Sequence, residues 1–272
     1  MTSVLDSIIQ GVKEDLAVRK NSVSLDDLKA QVNEVPRALP AADLLLKNSF
    51  SVISEVKRAS PSKGHLSDIP DPASLAMAYQ AGGAQVISVL TEQRKFNGNL
   101  SDLDAVRRKV SIPILRKDFM VDEYQVWEAR AHGADVILLI VAGLSDSQLS
   151  ELNHLADELG MSVLVEVHDE PELHRALAIN PKLIGVNARN LKTLEVSLDV
   201  CHNLIPQIPN EILAIAESGI STTDQVEALV LSGARAVLVG EALVTGGTPA
   251  ETVAEWTQAG IRAREKFLLN RS

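Results

Sequence analysis

Eight short apolar runs, separated by amphipathic segments, constrain the fold of this 272-residue chain most strongly. Successive runs begin roughly 20–35 residues apart, which is the length of one strand, one helix and their loops. The runs are continuously apolar, as in parallel strands that are covered on both faces. They are Phe50–Val56, Ala84–Leu90, Ile112–Lys117, Ala134–Ile140, Ser162–Val167, Leu183–Asn187, Ile212–Glu217 and Ala234–Gly240.

The segments between the runs have the pattern of capped helices. Several begin near Asp, Ser or Thr and end at Gly, and a Gly-Ala pair precedes the second, fourth and eighth runs. Eight alternating units predict an α/β protein with a single (β/α)8 TIM barrel. We expect residues 1–48 to form an N-terminal helical extension of one or two helices, packed on a barrel of residues 49–272 within one domain.

Composition and charge limit the classes of partner. The formal net charge of −10 argues against nucleic acid and anionic membranes, whereas local basic groups could still bind a small anion. The single cysteine, Cys201, excludes an internal disulfide and a multi-cysteine metal site. No apolar run is long enough for a membrane span, and the N-terminus lacks a signal-peptide pattern. We therefore expect a cytoplasmic protein without a metal site.

Charged and amide side chains stand where the apolar runs end, at the edge that carries the active site in such barrels. Taken singly, each is most often a solvated rim residue or an ion-pair partner. Together they predict one acid–base site, because side chains two apart on a strand share a face. The residues are Glu55, Lys57, Lys117, Glu166, Asn187, Arg189, Glu217 and Ser218.

A phosphate site is expected in the loops after the seventh and eighth runs. Gly219 and Gly240 would let a phosphate approach backbone N–H groups, although each glycine could equally serve only a tight turn. The carboxylate of Glu241 would have to turn away from such an anion. The loop of residues 57–65 after the first run is basic, and we interpret it as a mobile segment that closes over an anion.

Seven segments of the sequence carry a family resemblance. They are SEVKRASPSKG (54–64), LTEQRKFNG (90–98), PILRKDF (113–119), LVEVH (164–168), IGVNARNL (184–191), IAESGI (215–220) and VLVGEALV (237–244). As an ordered set, these segments resemble the indole-3-glycerol phosphate synthase family. The resemblance implies closure of 1-(2-carboxyphenylamino)-1-deoxyribulose 5-phosphate to indole-3-glycerol phosphate, with release of CO2 and water and without a cofactor or metal.

The resemblance also implies roles for individual residues. Lys117 matches the general acid of ring closure, and Glu166 matches an acid–base group of the dehydration. Lys57 matches the group that holds the substrate carboxylate, and its share of the dehydration stays open. The remaining matches divide between a polar wall, a phosphate site and an apolar pocket. They are Glu55, Asn187, Arg189, Glu217 and Ser218 for the wall, Ser60, Gly219, Gly240 and Glu241 near the phosphate, and Phe119 and Leu191 for the anthranilate ring.

One departure and two rival classes qualify this interpretation. Many relatives have Ser where this chain has Ala242, so a hydroxyl near the phosphate is missing. A phosphoribosylanthranilate isomerase would need a catalytic Cys near the end of the first run, where Glu55 and Lys57 stand instead. A non-catalytic sugar-phosphate-binding barrel is the other rival. We expect a small anionic substrate, no nucleic acid or membrane partner, and a monomer or weak homo-oligomer.

Overall fold

The computed structural model describes residues 3–191, 193–245 and 248–270. Eight parallel strands form a closed barrel in the order β1-β8-β7-β6-β5-β4-β3-β2, which confirms the predicted (β/α)8 fold. Every apolar run forms one strand. The strands are β1 Ser51–Val56, β2 Val86–Leu90, β3 Ile114–Lys117, β4 Val136–Ile140, β5 Ser162–Val167, β6 Leu183–Asn187, β7 Leu213–Glu217 and β8 Ala236–Val239.

Twelve helices precede, connect and follow these strands within the described residues. Their starts follow the capping signals: Asp122 accepts a hydrogen bond from the N–H of Tyr124, and Thr222 forms a capping box with Gln225. The helices are α1 Val4–Ser22, α2 Leu25–Glu34, α3 Ala41–Lys47, α4 Pro72–Ala81, α5 Leu100–Arg107, α6 Glu123–Ala131, α7 Asp146–Glu158, α8 Glu170–Leu177, α9 Asp199–Leu204, α10 Thr223–Leu231, α11 Glu241–Thr245 and α12 Pro249–Leu269.

Most strands begin one or two residues later than the apolar runs predicted. Ala84 and Ala134 are buried, but their N–H groups bond back to the preceding helix at Tyr79 and Ala129. They follow glycines with φ of +96° and +82°, which end the helix in the left-handed region. An apolar residue is needed at these positions because they are buried beneath a helix end. Hydrophobicity alone does not distinguish such a position from the first residue of a strand.

The segment before β1 contains three helices, where one or two were expected. Helix α3 lies under the barrel at the N-terminal ends of the strands, since the N–H of Ala42 donates to Oγ of Ser162 at 3.0 Å. Helix α1 instead contributes buried residues to the opposite end, where the strands finish. The first two residues of the predicted extension 1–48 and the last two of the predicted barrel 49–272 lie outside the described residues.

Side-chain alternation divides the apolar interior into two clusters. Residues such as Ile53 and Leu115 point into the barrel and pack with α1 and α3, whereas Val52 and Ile114 point outward to the helical layer. The same alternation sends Lys117 inward and its neighbour Arg116 outward, to Glu128 on α6 at 2.9 Å. Among the described residues, no helix has the length and hydropathy of a membrane span.

Candidate active site

The C-terminal ends of the strands surround a pocket that encloses about 990 Å³ of space open to solvent. The pocket brings together every residue that sequence analysis assigned to the site. Its lining includes Glu55, Lys57, Ser60, Lys117, Phe119, Glu166, Asn187, Arg189, Leu191, Glu217, Ser218, Gly219, Gly240 and Glu241.

Lys117 occupies the centre of the polar floor. Its Nζ lies 2.8 Å from Oε2 of Glu166 and 3.1 Å from Oε2 of Glu217. Burial by itself would lower the pKa of Lys117, but the charges of Glu166 and Glu217 outweigh it and raise the pKa above its ordinary value. The side chain is therefore an ammonium group at neutral pH. Its orientation is set by its contacts with Glu166 of β5 and Glu217 of β7.

The two carboxyl groups that hold Lys117 differ in their surroundings. Burial favours the neutral form of Glu166, yet Lys117 and His168 together bring its pKa below the ordinary value. Burial also raises the pKa of Glu217, and there the attraction of Lys117 does not offset it. Glu166 is thus the ionised member of the pair, and Glu217 is the member that retains a proton more readily.

A second ion pair joins the first strand to its following loop. Nζ of Lys57 lies 2.6 Å from Oε1 of Glu55, and the Ser88 hydroxyl donates to the other oxygen of Glu55 at 3.3 Å. The Glu55 side chain is buried, whereas Lys57 is partly open to the pocket. A second ammonium group, that of Lys57, therefore faces the pocket, and the Glu55 carboxylate keeps it in place.

The loop after β1 contacts the loop after β6 and the start of α11. Ala59–Ser60 pairs antiparallel with Gly64–His65, which forms a short hairpin. The Ser62 hydroxyl accepts a hydrogen bond from the Arg189 guanidinium at 2.6 Å. Lys63 Nζ lies 3.7 Å from Oε1 of Glu241, so the Glu241 carboxylate is directed to the hairpin. Arg189 also uses its N–H to fix the Asn187 side chain at 2.9 Å.

The proposed phosphate glycines each have a local structural reason. Ser218 and Gly219 both have positive φ, 68° and 73°, immediately after β7. Such a conformation is rare for serine and marks a constrained position at the pocket. At Gly240 the obstacle is a side chain, because a Cβ there would lie 2.9 Å from Oε1 of Glu55. Gly219 and Gly240 are therefore both required by the local backbone and packing at the rim of the pocket. This structural role is compatible with the predicted role of each glycine in binding a phosphate.

An apolar wall forms one side of the pocket, and sequence analysis found only part of it. Phe119 and Leu191 line it as expected, and the ring of Phe96 packs against Phe119 at a centroid distance of 6.0 Å. Leu5 and Ile8 of α1 complete the wall from the N-terminal segment. No local sequence signal connects α1 with the strand ends, since that contact joins residues far apart in the chain.

His168 is a further polar neighbour of the floor that sequence analysis did not single out. It lies two residues beyond Glu166, and its Nε2 is 3.3 Å from Oε1 of that carboxylate. The same alternation that paired Glu55 with Lys57 could have found it.

Cys201, in contrast, is buried in α9 and donates to the carbonyl of Val186, and burial raises the pKa of its thiol to about 12.

A buried ammonium group between two carboxylates, at the strand ends of a (β/α)8 barrel, defines the chain as an acid–base enzyme of the barrel class. A family model described as indole-3-glycerol phosphate synthase matches residues 5–255. The indole-3-glycerol phosphate synthase of Rhodococcus jostii is 58% identical over 258 residues, which is 95% of this chain and 96% of the relative. The chain therefore belongs to the indole-3-glycerol phosphate synthase family, whose members are decarboxylating lyases of tryptophan biosynthesis.

Another relative agrees, and a solved structure supports the fold alone. The indole-3-glycerol phosphate synthase of Paenarthrobacter aurescens is 54% identical over 266 residues, covering 96% of this chain and 98% of that protein. A solved structure described as native KDPGal superposes with a TM-score of 0.55 at 16% identity, covering 82% of this chain and 98% of the other. At that identity the likeness indicates a shared barrel and nothing about the reaction.

Proposed function

We propose that this pocket forms the indole ring in three successive steps, which are ring closure, decarboxylation and dehydration, and that its polar groups supply the proton transfers of the first and the last. The substrate is 1-(2-carboxyphenylamino)-1-deoxyribulose 5-phosphate, and the product is indole-3-glycerol phosphate with CO2 and water. The observation that carries the proposal is the buried Lys117 ammonium, held by Glu166 and Glu217 and directed into the pocket.

Lys117 acts as the general acid of ring closure. As the aromatic carbon that bears the carboxylate attacks the ketone carbon, the ketone oxygen gains electron density and takes a proton from the Lys117 ammonium. The new carbon–carbon bond disrupts the aromatic ring. Loss of CO2 then returns the electron pair of the broken bond to the ring, which restores aromaticity without any added oxidant or reductant. A positioned acid of this kind contributes about 10²–10⁴-fold to the rate.

Glu166 and Lys57 divide the dehydration between them. The hydroxyl group must leave with a proton, and the adjacent carbon must lose one. Glu166 is ionised because of its cationic neighbours, so it is the proton acceptor. Lys57, an ammonium paired with Glu55, is the proton donor to the departing hydroxyl. Before this step, the same ammonium holds the carboxylate of the substrate.

The remaining residues position the substrate. Ser60 and the backbone around Gly219 and Gly240 bind the phosphate at the rim, while Glu241 stays directed to Lys63. The other groups serve as walls around the two ends of the substrate. Phe119 and Leu191 enclose the anthranilate ring, and Asn187, Arg189, Glu217 and Ser218 line the polar side near the sugar hydroxyls.

Substitution of Lys117 by alanine tests the proposal most directly. We expect Lys117→Ala to reduce turnover by at least about 10²-fold, because the developing alkoxide loses its proton donor. Binding of the substrate should persist, since the phosphate and carboxylate contacts remain. Turnover is followed by the rise of indole fluorescence and by CO2 release, and binding by calorimetry under conditions where the variant is inactive.

A matched control is available at the other end of the barrel. Lys182 is also paired with a carboxylate, Asp43 at 3.0 Å, but it is exposed and remote from the pocket. Lys182→Ala should keep normal turnover. Near-normal turnover of Lys117→Ala would contradict the assignment of the ring-closing acid, and absence of fluorescence from folded parent protein would contradict the function as a whole.

The place of action and the assembly complete the proposal. A biosynthetic lyase of this family fits a cytoplasmic location, where its phosphorylated substrate would be produced. The pocket is lined by residues of one chain, and α1 completes its apolar wall. We therefore expect a monomer or a weak homo-oligomer, measurable by sedimentation of the purified protein.

A further inference from the structure

We propose that His168 is a positioning residue for Glu166. Its ring, held in place by Glu172, orients the carboxylate that accepts the proton in the dehydration and keeps that carboxylate ionised. This inference rests on the proposed role of Glu166 and extends it to two residues outside the predicted site. Neither His168 nor Glu172 lines the pocket, so both act on the reaction only through Glu166.

The orientation of Glu166 depends on three contacts from three strand ends. Its Oε2 faces Lys117 at 2.8 Å, and its Oε1 accepts a hydrogen bond from Asn187 at 3.0 Å. His168 Nε2 lies 3.3 Å from the same Oε1, outside hydrogen-bonding geometry, so this contact is electrostatic. Glu166 is itself 1% exposed, and a buried carboxylate needs nearby positive charge to remain ionised.

Glu172 fixes the ring of His168 by a double contact. One carboxylate oxygen of Glu172 lies 2.9 Å from Nδ1 of the ring and also accepts the backbone N–H of His168 at 2.9 Å. Glu172 is in the first turn of α8, where Asp169 caps its N–H at 2.9 Å. The helix start therefore determines where the ring stands, and the ring faces Glu166 as a consequence.

The ring lies between two carboxylates, which selects its protonation state. A neutral imidazole can donate through only one nitrogen, whereas the imidazolium presents a donor to each side. Burial opposes the charged ring, but Glu166 and Glu172 outweigh burial and raise the pKa of His168 to about 9. At neutral pH the ring is then cationic, and Glu166 has an ammonium group on one side and an imidazolium on the other.

The other charged groups around the ring are already paired. Lys117 from β3 contacts the far oxygen of Glu166, and β6 contributes only the neutral Asn187. On α8, Arg175 is directed to Asp146 and to the carbonyl groups of Val141 and Leu144. Among the described residues, Glu166 and Glu172 are therefore the two groups whose charges face His168 directly.

The test compares the kcat of His168→Gln with that of the parent enzyme between pH 6 and pH 10. Glutamine retains a hydrogen-bond donor but has no charge. We expect the kcat of the variant to be on the order of 10-fold lower at pH 7, with KM unchanged, because the carboxylate is misplaced and less strongly ionised. The kcat of the parent divided by the kcat of the variant should fall towards one as pH rises through about 9, where the parent ring loses its proton.

This ratio separates the ring from the rest of the protein, because every other ionisable group is common to both proteins. Glu172→Gln removes one of the two carboxylates that raise the pKa of His168. We therefore expect the ring of this variant to lose its proton, and its kcat to fall, at a lower pH than in the parent protein. A matched control is His154→Gln on α7, an exposed histidine 3.3 Å from Glu158. Its kcat ratio should equal one at every pH.

Two outcomes would overturn the inference. A kcat ratio near one at pH 7, or a deficit that stays constant from pH 6 to pH 10, would mean that His168 only supports the fold. The proposed function fails in a different way: Glu166→Gln would then retain parental activity, whatever His168→Gln does. The midpoint of the His168 ring resonances, measured by NMR in the parent protein, gives an independent check at about pH 9.

Discussion

Gly185 shows most clearly how the barrel interior positions the proposed acid–base groups. It lies in β6, and an added Cβ would stand 2.0 Å from Oε1 of Glu217 and 3.1 Å from its Cδ. Normal nonbonded contact needs about 3.5 Å, so Gly185→Ala must displace the carboxylate by roughly 1 Å or more. The other oxygen of this carboxylate, Oε2, lies 3.1 Å from Nζ of Lys117, so we expect the displacement to disturb that ion pair.

Two effects with different magnitudes follow from this displacement. Overpacking a close-packed interior costs about 1–3 kcal/mol of unfolding free energy, which lowers Tm by several degrees in a protein of this size. A misplacement of about 1 Å in a catalytic group costs on the order of 10²-fold in rate. We therefore expect Gly185→Ala to lose about 100-fold in kcat, measured by indole fluorescence, while calorimetry shows a folded protein.

A double variant and a control refine this prediction. Glu217→Asp shortens the side chain by one methylene, so Gly185→Ala with Glu217→Asp should recover part of the activity that Gly185→Ala loses. Gly143→Ala adds the same methyl group near only the side-chain end of Ile9, at 3.0 Å, and should leave kcat unchanged. A Gly185→Ala enzyme with parental kcat and a reduced Tm would refute the view that the position of Glu217 matters for turnover.

Three further substitutions test other parts of the structure. Gly219→Ala places a Cβ at φ +73° and 2.5 Å from the side chain of Val196, so stability should fall by about 1–2 kcal/mol in denaturant titrations. Its KM for the phosphorylated substrate should rise, and an unchanged KM would remove Gly219 from the phosphate site. Gly260→Ala in α12 meets the ring of Phe50 at 2.1 Å and should lower Tm despite the higher helix propensity of alanine; an increased Tm would show that the ring can move. Cys201→Ser should keep parental turnover, because the buried thiol donates only to a backbone carbonyl; loss of activity in folded protein would indicate thiol chemistry.

Sequence patterns were sufficient for the strands because each strand is a local feature. The eight apolar runs all became strands, and the residues at their ends line one pocket. Errors arose where apolar character has a second cause, as at Ala84 and Ala134, which pack beneath helix ends. The third N-terminal helix, Ala41–Lys47, was missed because seven residues after a proline give too short a pattern.

The chemical roles of the site residues depend on distances that no pattern contains. Alternation alone predicts that Glu166 and Lys117 both point inward, but only closure of the barrel brings them within 2.8 Å. The same closure gives Glu166 and Glu217 opposite tendencies to hold a proton, although both are glutamates at the end of an apolar strand. The difference follows from which cations each carboxylate contacts.

The sequence by itself determined the alternation of strands and helices, the identity of the polar groups at the strand ends, and the family to which the chain belongs. Hydrophobic periodicity and capping act over a few residues, so they are legible in one dimension. Only the tertiary structure decided which charges are paired, that α1 forms a wall of the pocket, and that His168 faces Glu166. Electrostatic interactions and packing depend on separation in space, and barrel closure sets those separations between residues far apart in the chain.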